Sequence, residues 1–447
     1  MTLRWLAVVL GCVACGDAVH REDLFTATSG SRLALQLYRF DDGTEQPEPG
    51  ELYDTRLHTR CTPRRWIDDV VRCVPVADDA VYIDDACTDL VGLSVTMEEP
   101  THFLAYQHGR PARAFAAGAA TDPVSQFFVK QDDGCVGPFP SPQDPIAYFE
   151  VGGEIDGADL VPVREAEAGT GRIAVQVRVA DDGMLVPFGL RDRELGVVCT
   201  PALHGDGSVA CEPTGAAPAS YFLDPTCDQP VVAVTDGAAI PAIARVVERS
   251  GCPGYRTVGG EVSPPLYRRV GDRVDDDCIP AATPPGHRLF AATTRLELPA
   301  LERTLESIPG RRLQRIILDD GDLRFLGDLL YDTATRADCT RRAVGDVIRC
   351  VPSTVAAATT LFTAGCAVPI QAAELPRQAC AQPSFATATT EDGFEIHAIG
   401  GRIESPLFQL DTGLCLPHSG SLGTDPHALG PAIDPQAFSG AVYFGAR

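Results

Sequence analysis

The chain reads as an all-β protein built from three tandem copies of a unit of about 139 residues. Three observations predict this: cysteines recurring at a fixed period, short β-branched and aromatic runs punctuated by Asp-Gly, Gly-Gly and Pro, and no long stretch with a helical period. The first cysteines, Cys61, Cys199 and Cys339, lie 138 and 140 residues apart. The second, Cys73, Cys211 and Cys350, step by 138 and 139, and the third, Cys87, Cys227 and Cys366, by 140 and 139. A late cysteine recurs as Cys135, Cys278 and Cys415. Agreement at four separate landmarks is the signature of an internal repeat.

Each copy opens with a strand-like run ending in an acidic turn. These are Leu33 to Phe40 before Asp41-Asp42-Gly43, Ile173 to Val179 before Asp181-Asp182-Gly183, and Leu313 to Leu318 before Asp319-Asp320-Gly321. The chain has no Asn, and Lys130 is its only Lys, so turns that would use Asn-Gly use Asp-Gly or Gly-Gly instead. A returning strand carries Leu52-Tyr53-Asp54-Thr55, Gly189-Leu190-Arg191-Asp192 or Leu330-Tyr331-Asp332-Thr333. Arg72-Cys73-Val74-Pro75 is nearly repeated as Arg349-Cys350-Val351-Pro352, and Ala210-Cys211-Glu212-Pro213 is its weakened middle version. Later, Gly118, Gly260 and Gly401 each precede a proline by five residues. Leu298 to Ile308 is the one stretch read as a short helix.

About eight strands per copy fit two four-stranded blades, so three copies would close a six-bladed β-propeller with few exposed sheet edges. The alternative is three consecutive β-sandwich or barrel domains. The repeats span 32–171, 172–310 and 311–447, with short linkers such as Glu165 to Gly171 between them. Residues 1–15 precede them as an export signal and 16–31 as a polar linker. Arg4 supplies the positive start, Trp5 to Val13 an apolar run too short to span a bilayer, and Val13-Ala14-Cys15-Gly16 resembles a lipobox. Cys15 is therefore the expected lipidation site, with Cys12 the alternative.

Export places the remaining cysteines in an oxidising compartment. The first two of each copy flank a turn, so a hairpin is expected to set Cys61 against Cys73, Cys199 against Cys211 and Cys339 against Cys350, each face to face. The extra cysteines Cys252 and Cys380 suggest pairs with Cys227 and Cys366. Cys87 then takes Cys135, and Cys278 and Cys415 bond each other or stay free. No Cys-x-x-Cys occurs after the signal region, which argues against zinc.

Chemistry is harder to find. The sequence has no zinc-protease helix, nucleophile elbow, phosphate-binding loop or dinucleotide fingerprint. A net charge of -24 repels nucleic acid. Asp54, Asp192 and Asp332 recur at one position and are weak calcium candidates, although an Asp at a turn more often bonds its own backbone. No other cofactor is expected.

The Arg-Cys-Val-Pro box, the stretch Tyr82-Ile83-Asp84-Asp85-Ala86-Cys87 and the late Gly-Gly strand together resemble exported, cysteine-containing repeat lipoproteins of GC-rich bacteria. That resemblance covers nearly all of the chain after its signal and implies a scaffold, with no activity attached. The expected function is a lipid-anchored or secreted envelope protein, monomeric, that binds an extracellular glycan, peptide or protein without turning it over. Repetition without a singular reactive motif suits recognition better than catalysis. The alternative is a secreted hydrolase with its site in a propeller channel.

Overall fold

The computed structural model describes residues 24–95, 99–107, 109–131, 134–141, 146–204, 207–248, 253–263, 265–269, 278–376, 383–390, 393–411, 413–418 and 424–444. Among them there is no α-helix. The strands gather into one sheet of sixteen, one of eight and two of seven, so they do not form the six four-stranded blades of the expected propeller. The barrel alternative fits instead, with one addition that local patterns did not reveal: a shared central sheet. The export signal, Cys12 and Cys15 lie outside the described residues.

Each segment gives the central sheet four consecutive antiparallel strands. The first supplies Leu33–Phe40, Glu45–Asp54, Thr59–Arg65 and Val71–Pro75. The second supplies Ile173–Ala180, Leu185–Asp192, Val197–Leu203 and Val209–Pro213. The third supplies Leu313–Asp319, Arg324–Asp332, Ala337–Val344 and Val347–Pro352. The Asp-Gly turns joining the first two strands work because Gly43 and Gly183 sit at φ 81 and 92°, where a side chain would strain the backbone.

A fifth strand ends each segment, and it pairs with the segment that follows. Val163–Ala168 lies along Ile173–Ala180, with Val163 opposite Ala180. Ala300–Glu306 bridges Val209–Pro213 and Leu313–Asp319. Gly440–Phe444, near the end of the chain, bridges Val347–Pro352 and Leu33–Phe40. The two ends of the path also meet: the Cys73 amide donates to the Val161 carbonyl at 2.9 Å, and Arg72 faces Pro162 in a single antiparallel bridge. The sheet is therefore a closed ring without a free edge between segments. Two expectations are corrected here. Leu298 to Ile308 holds the strand Ala300–Glu306 rather than a helix, and most of the presumed linker Glu165 to Gly171 is ladder-bonded strand. In both cases long-range pairing overrides a local pattern that carried little helical or loop signal of its own.

Between its fourth and fifth ring strands each segment builds a small closed barrel. In the first, Asp78–Tyr82, Leu90–Ser94, Ala147–Ile155, Arg110–Thr121 and His102–Gln107 follow one another round, and a parallel pairing of Asp78 with Phe103 closes the circle. The third closes the same way where Val355 pairs in parallel with Phe385, and the second where Ala217 pairs with Ala244. Phe103, Ala80, Ala105 and Phe115 fill the first barrel.

A two-stranded arm extends each barrel. The arms are Gln126–Gln131 with Gly134–Pro140, Leu266–Arg269 with Cys278–Ala281, and Phe408–Asp411 with Leu414–Pro417. Each is joined to the barrel's first strand by one paired position: Phe128 with Tyr82, Tyr267 with Phe222, and Phe408 with Phe362.

Candidate functional site

The recurring acids come first. Asp54, Asp192 and Asp332 are fully buried, with 0% exposure. Each is held by an arginine standing just before the first ring strand of its own segment. Arg32 donates to both oxygens of Asp54 at 2.8 and 2.6 Å, Arg172 to Asp192 at 3.1 and 2.8 Å, and Arg312 to Asp332 at 2.6 and 2.5 Å. Turn amides complete the shell: Arg56 and Leu57 donate to Asp54, and Glu194 and Leu195 to Asp192. A guanidinium fork satisfies a carboxylate with geometry and charge together. The calcium candidates are thus counter-ions of arginine, and among the described residues no three His, Cys, Asp or Glu side chains group as metal ligands. The arginines are not among the residues singled out from the sequence, yet they carry a signal there, each standing 20 or 22 residues before its aspartate in every copy.

The acidic turns reach further than a turn requires. Asp42 accepts from the Thr44 amide at 2.8 Å within its turn, and its other oxygen accepts from the Leu313 amide at 2.7 Å in the third segment. Burial pushes the Asp42 carboxyl up, but these amides outweigh burial and hold it below the usual carboxylate range. Asp182 caps the amides of Arg32 and Leu33 in the first segment, and Asp322 those of Thr170 and Gly171, immediately ahead of the second segment's first strand. The Thr170 amide is the main reason the Asp322 carboxyl is held low. Met184 and Leu323, two and one positions after the capping acids Asp182 and Asp322, enter the neighbours as well. Met184 packs with Leu33, Leu52, Cys61 and Cys73, and Leu323 packs with Ile173, Val175 and Cys199. The three segments are linked cyclically, first to third, third to second and second to first.

The cysteines divide into two sets. Cys61–Cys73, Cys199–Cys211 and Cys339–Cys350 are bonded and buried in the ring. They bridge diagonally rather than face to face, since Cys61 stands opposite Pro75 and Cys73 opposite Pro63. The other set, Cys87–Cys135, Cys227–Cys278 and Cys366–Cys415, pins each arm to the loop following the barrel's first strand. Cys227 and Cys366 therefore take the late cysteines and not Cys252 and Cys380, which lie outside the described residues, and Cys278 and Cys415 are neither free nor bonded to each other. The physical reason is that the arm folds back across the barrel, bringing a cysteine about 50 residues away closer than the next one in sequence. Cys87, Cys227 and Cys366 all adopt φ near +53°.

The arms bring apolar side chains to the surface. On the first, Phe127 pairs with Phe139 and Val129 with Val136 across the hairpin, and Val129, Val136 and Phe139 are exposed. On the third, Leu410 is 57% and Leu414 62% exposed, with Leu416 beside them.

One cleft differs from its counterparts in chemistry. Where the first ring segment meets its barrel, Tyr53, His58, Asp78, Glu99, Thr101 and His102 line a space of about 340 Å³. The first strand positions of the other two barrels carry Ile243 and Phe385 where this one has His102. Thr101 Oγ1 lies 3.0 Å from His102 Nδ1. Burial lowers the affinity of His102 for a proton, partly offset by the charge of Asp54, so the imidazole is neutral at pH 7 and can accept a proton. His58 sits at φ +52°, where the second segment has Gly196.

Residues 8–438 match the model of a family of unknown function, DUF7481, and the chain belongs to that family. No curated protein and no solved structure matches it.

Proposed function

We propose that this DUF7481 member is an exported, lipid-anchored or secreted binding protein that presents three braced arms to an extracellular glycan, peptide or protein. The observation that carries this reading is that each arm has its own disulfide, while the first and third leave apolar side chains uncovered, as at Val136 and Phe139 and at Leu410 and Leu414. Ordering a surface before the ligand arrives lowers the entropy cost of recognition, and solvent-facing apolar clusters on rigid elements mark interaction sites. The six described disulfides belong in an oxidising compartment, and no described helix is long and apolar enough to cross a membrane. Attachment, on this proposal, is through lipid on Cys15, with Cys12 the alternative. Metabolic labelling with an alkyne fatty acid tests it: the wild type takes label and Cys15→Ser does not.

Binding is tested by immobilising the purified chain and screening envelope polysaccharides and apolar peptides by interferometry. A ligand whose affinity falls about tenfold or more in Leu414→Ser/Leu416→Ser, with the melting temperature unchanged, supports the arms. A ligand bound equally by that variant and by Val136→Ser/Phe139→Ser overturns them.

A second reading, a hydrolase, rests on the Thr101–His102 contact in a cleft that one segment alone equips this way. A neutral imidazole beside a hydroxyl is the arrangement that activates a nucleophile. Turnover of an ester or glycoside panel, abolished in both Thr101→Ala and His102→Ala, would establish it.

A further inference from the structure

The ring contains three equivalent seams where one segment's second strand bulges over its neighbour, and comparing them shows what the open one lacks. In the seam between first and third segments, Glu48 of the bulge pairs with Arg341 at 2.8 Å, and the Arg341 guanidinium lies 4.3 Å over the Tyr38 ring. In the seam between second and first, Arg178 lies 4.5 Å over Phe188. Both are filled by a guanidinium on an aromatic face, a favourable stacking of cation on ring.

The seam between third and second segments is different: its guanidinium, Arg303, lies 5.7 Å from the Tyr331 ring and is tied to Asp338, so it does not fill the space under the bulge. Pro201 stands two residues after Cys199, as Arg341 stands two after Cys339, so the arginine is replaced by a residue without charge or reach. Leu318 takes the place of Tyr38 in the strand register, facing Phe325 as Tyr38 faces Gln46. A cavity of about 250 Å³ is left, walled by Pro201, Leu203, Ile316, Leu318 and Leu329. The acid of the bulge is retained: Asp328 lines this cavity, and its carboxylate makes no hydrogen bond or ion pair among the described residues. The other charges at the cavity cancel, because Arg303 is paired with Asp338 at 2.5 Å. Nearby Arg341 is already engaged by Glu48. The cavity thus presents one carboxyl without a counter-ion of its own above apolar walls; burial pushes that carboxyl up, Arg341 partly offsetting it, so a cation brought to it would be met by a group short of one.

We propose that this open seam is a binding site for an arginine side chain of a partner peptide, the stem lying along Leu203, Ile316 and Leu329 and the guanidinium meeting Asp328. The chain itself supplies such a group in the equivalent seam. The site is separate from the arms and stands whether or not they bind. A carboxylate fork recognises a guanidinium through two parallel hydrogen bonds, and the methylene stem gains by leaving water.

The test is ligand-observed NMR titration of the full chain with n-butylguanidinium, n-butylammonium and the neutral isostere n-butylurea. The expected order is guanidinium over ammonium over urea. Asp328→Asn should weaken the guanidinium by about tenfold or more, the loss of one charge-assisted contact. Pro201→Arg should also abolish binding, because it fills the seam from within, while the circular dichroism spectrum stays native. No guanidinium binding at tens of millimolar, a preference for ammonium, or unchanged binding in Asp328→Asn overturns the proposal. Should Pro201→Arg misfold, Asp328→Asn alone decides.

Discussion

The ring and the arms are stapled by the same number of described disulfides, yet they are held in opposite ways. In the ring, Cys61–Cys73 and its counterparts close loops of only 11 or 12 residues and sit in cores completed by a neighbour's Met184, Leu323 or Phe40. In the arms, Cys87–Cys135 and its counterparts close loops of 48 to 51 residues around hairpins that share a single ladder position with their barrel and otherwise pack on it through side chains, as Phe128 does on Tyr82. Ring order is therefore cooperative and shared among segments, whereas arm order is local to each barrel. Damage to the ring spreads to all three segments, and damage to an arm stays in that arm.

The sharpest way to break this contrast is to remove one ring arginine. Arg312→Ala leaves Asp332 buried without its counter-ion, and a loss of about 3–5 kcal/mol of global stability is expected in denaturant unfolding. A drop confined to the third segment, seen as local hydrogen exchange with the first and second protected, would contradict shared order. Next in size, Met184→Ala empties a space in the first segment's core and should cost about 2–5 kcal/mol although the residue belongs to the second.

Arm changes should behave otherwise. Cys366→Ser/Cys415→Ser removes a constraint that chain entropy rates at about 4 kcal/mol. The expected result is faster exchange of Phe408–Asp411 and Leu414–Pro417 with Leu313–Asp319 unchanged. Smallest is the acid response. Asp42 and Asp322 have carboxyls held low in the folded chain, so they stabilise it fully above the unfolded value near about 4 and lose that contribution as pH falls through the lower folded values. Asp42→Asn should flatten the dependence of stability on pH below about 4, read by urea midpoints at pH 5 and pH 3.

Much of the ring's local structure was legible in residues. The Asp-Gly turns, the run from Leu33 to Phe40 and the 12-residue spacing of Cys61 and Cys73 each carry a local cause: a positive φ, an alternating face, a loop of hairpin length. What was not legible is which strand lies beside which. Nothing in Ala300–Glu306 or Gly440–Phe444 records that its partners lie in the next segment, because ladder hydrogen bonds come from backbone that every residue shares. The Cys227 pairing had a usable signal, since Cys87 with Cys135 and the 140-residue step together point to Cys278. The cleft at His102 offered little: one histidine in place of Ile243 or Phe385 stands out only after the barrels are laid side by side.

Leu33–Phe40 and Gly440–Phe444 are ladder neighbours, so the opening and concluding strands of the circle fasten to each other. A polypeptide released from its N-terminus onward must hold Leu33–Phe40 unfastened on that side until Gly440–Phe444 arrives. Completion of the circle is thereby tied to the arrival of Gly440–Phe444, and a product truncated just before Gly440 would keep two raw sheet margins, at Leu33–Phe40 and Val347–Pro352, available to strands of other molecules.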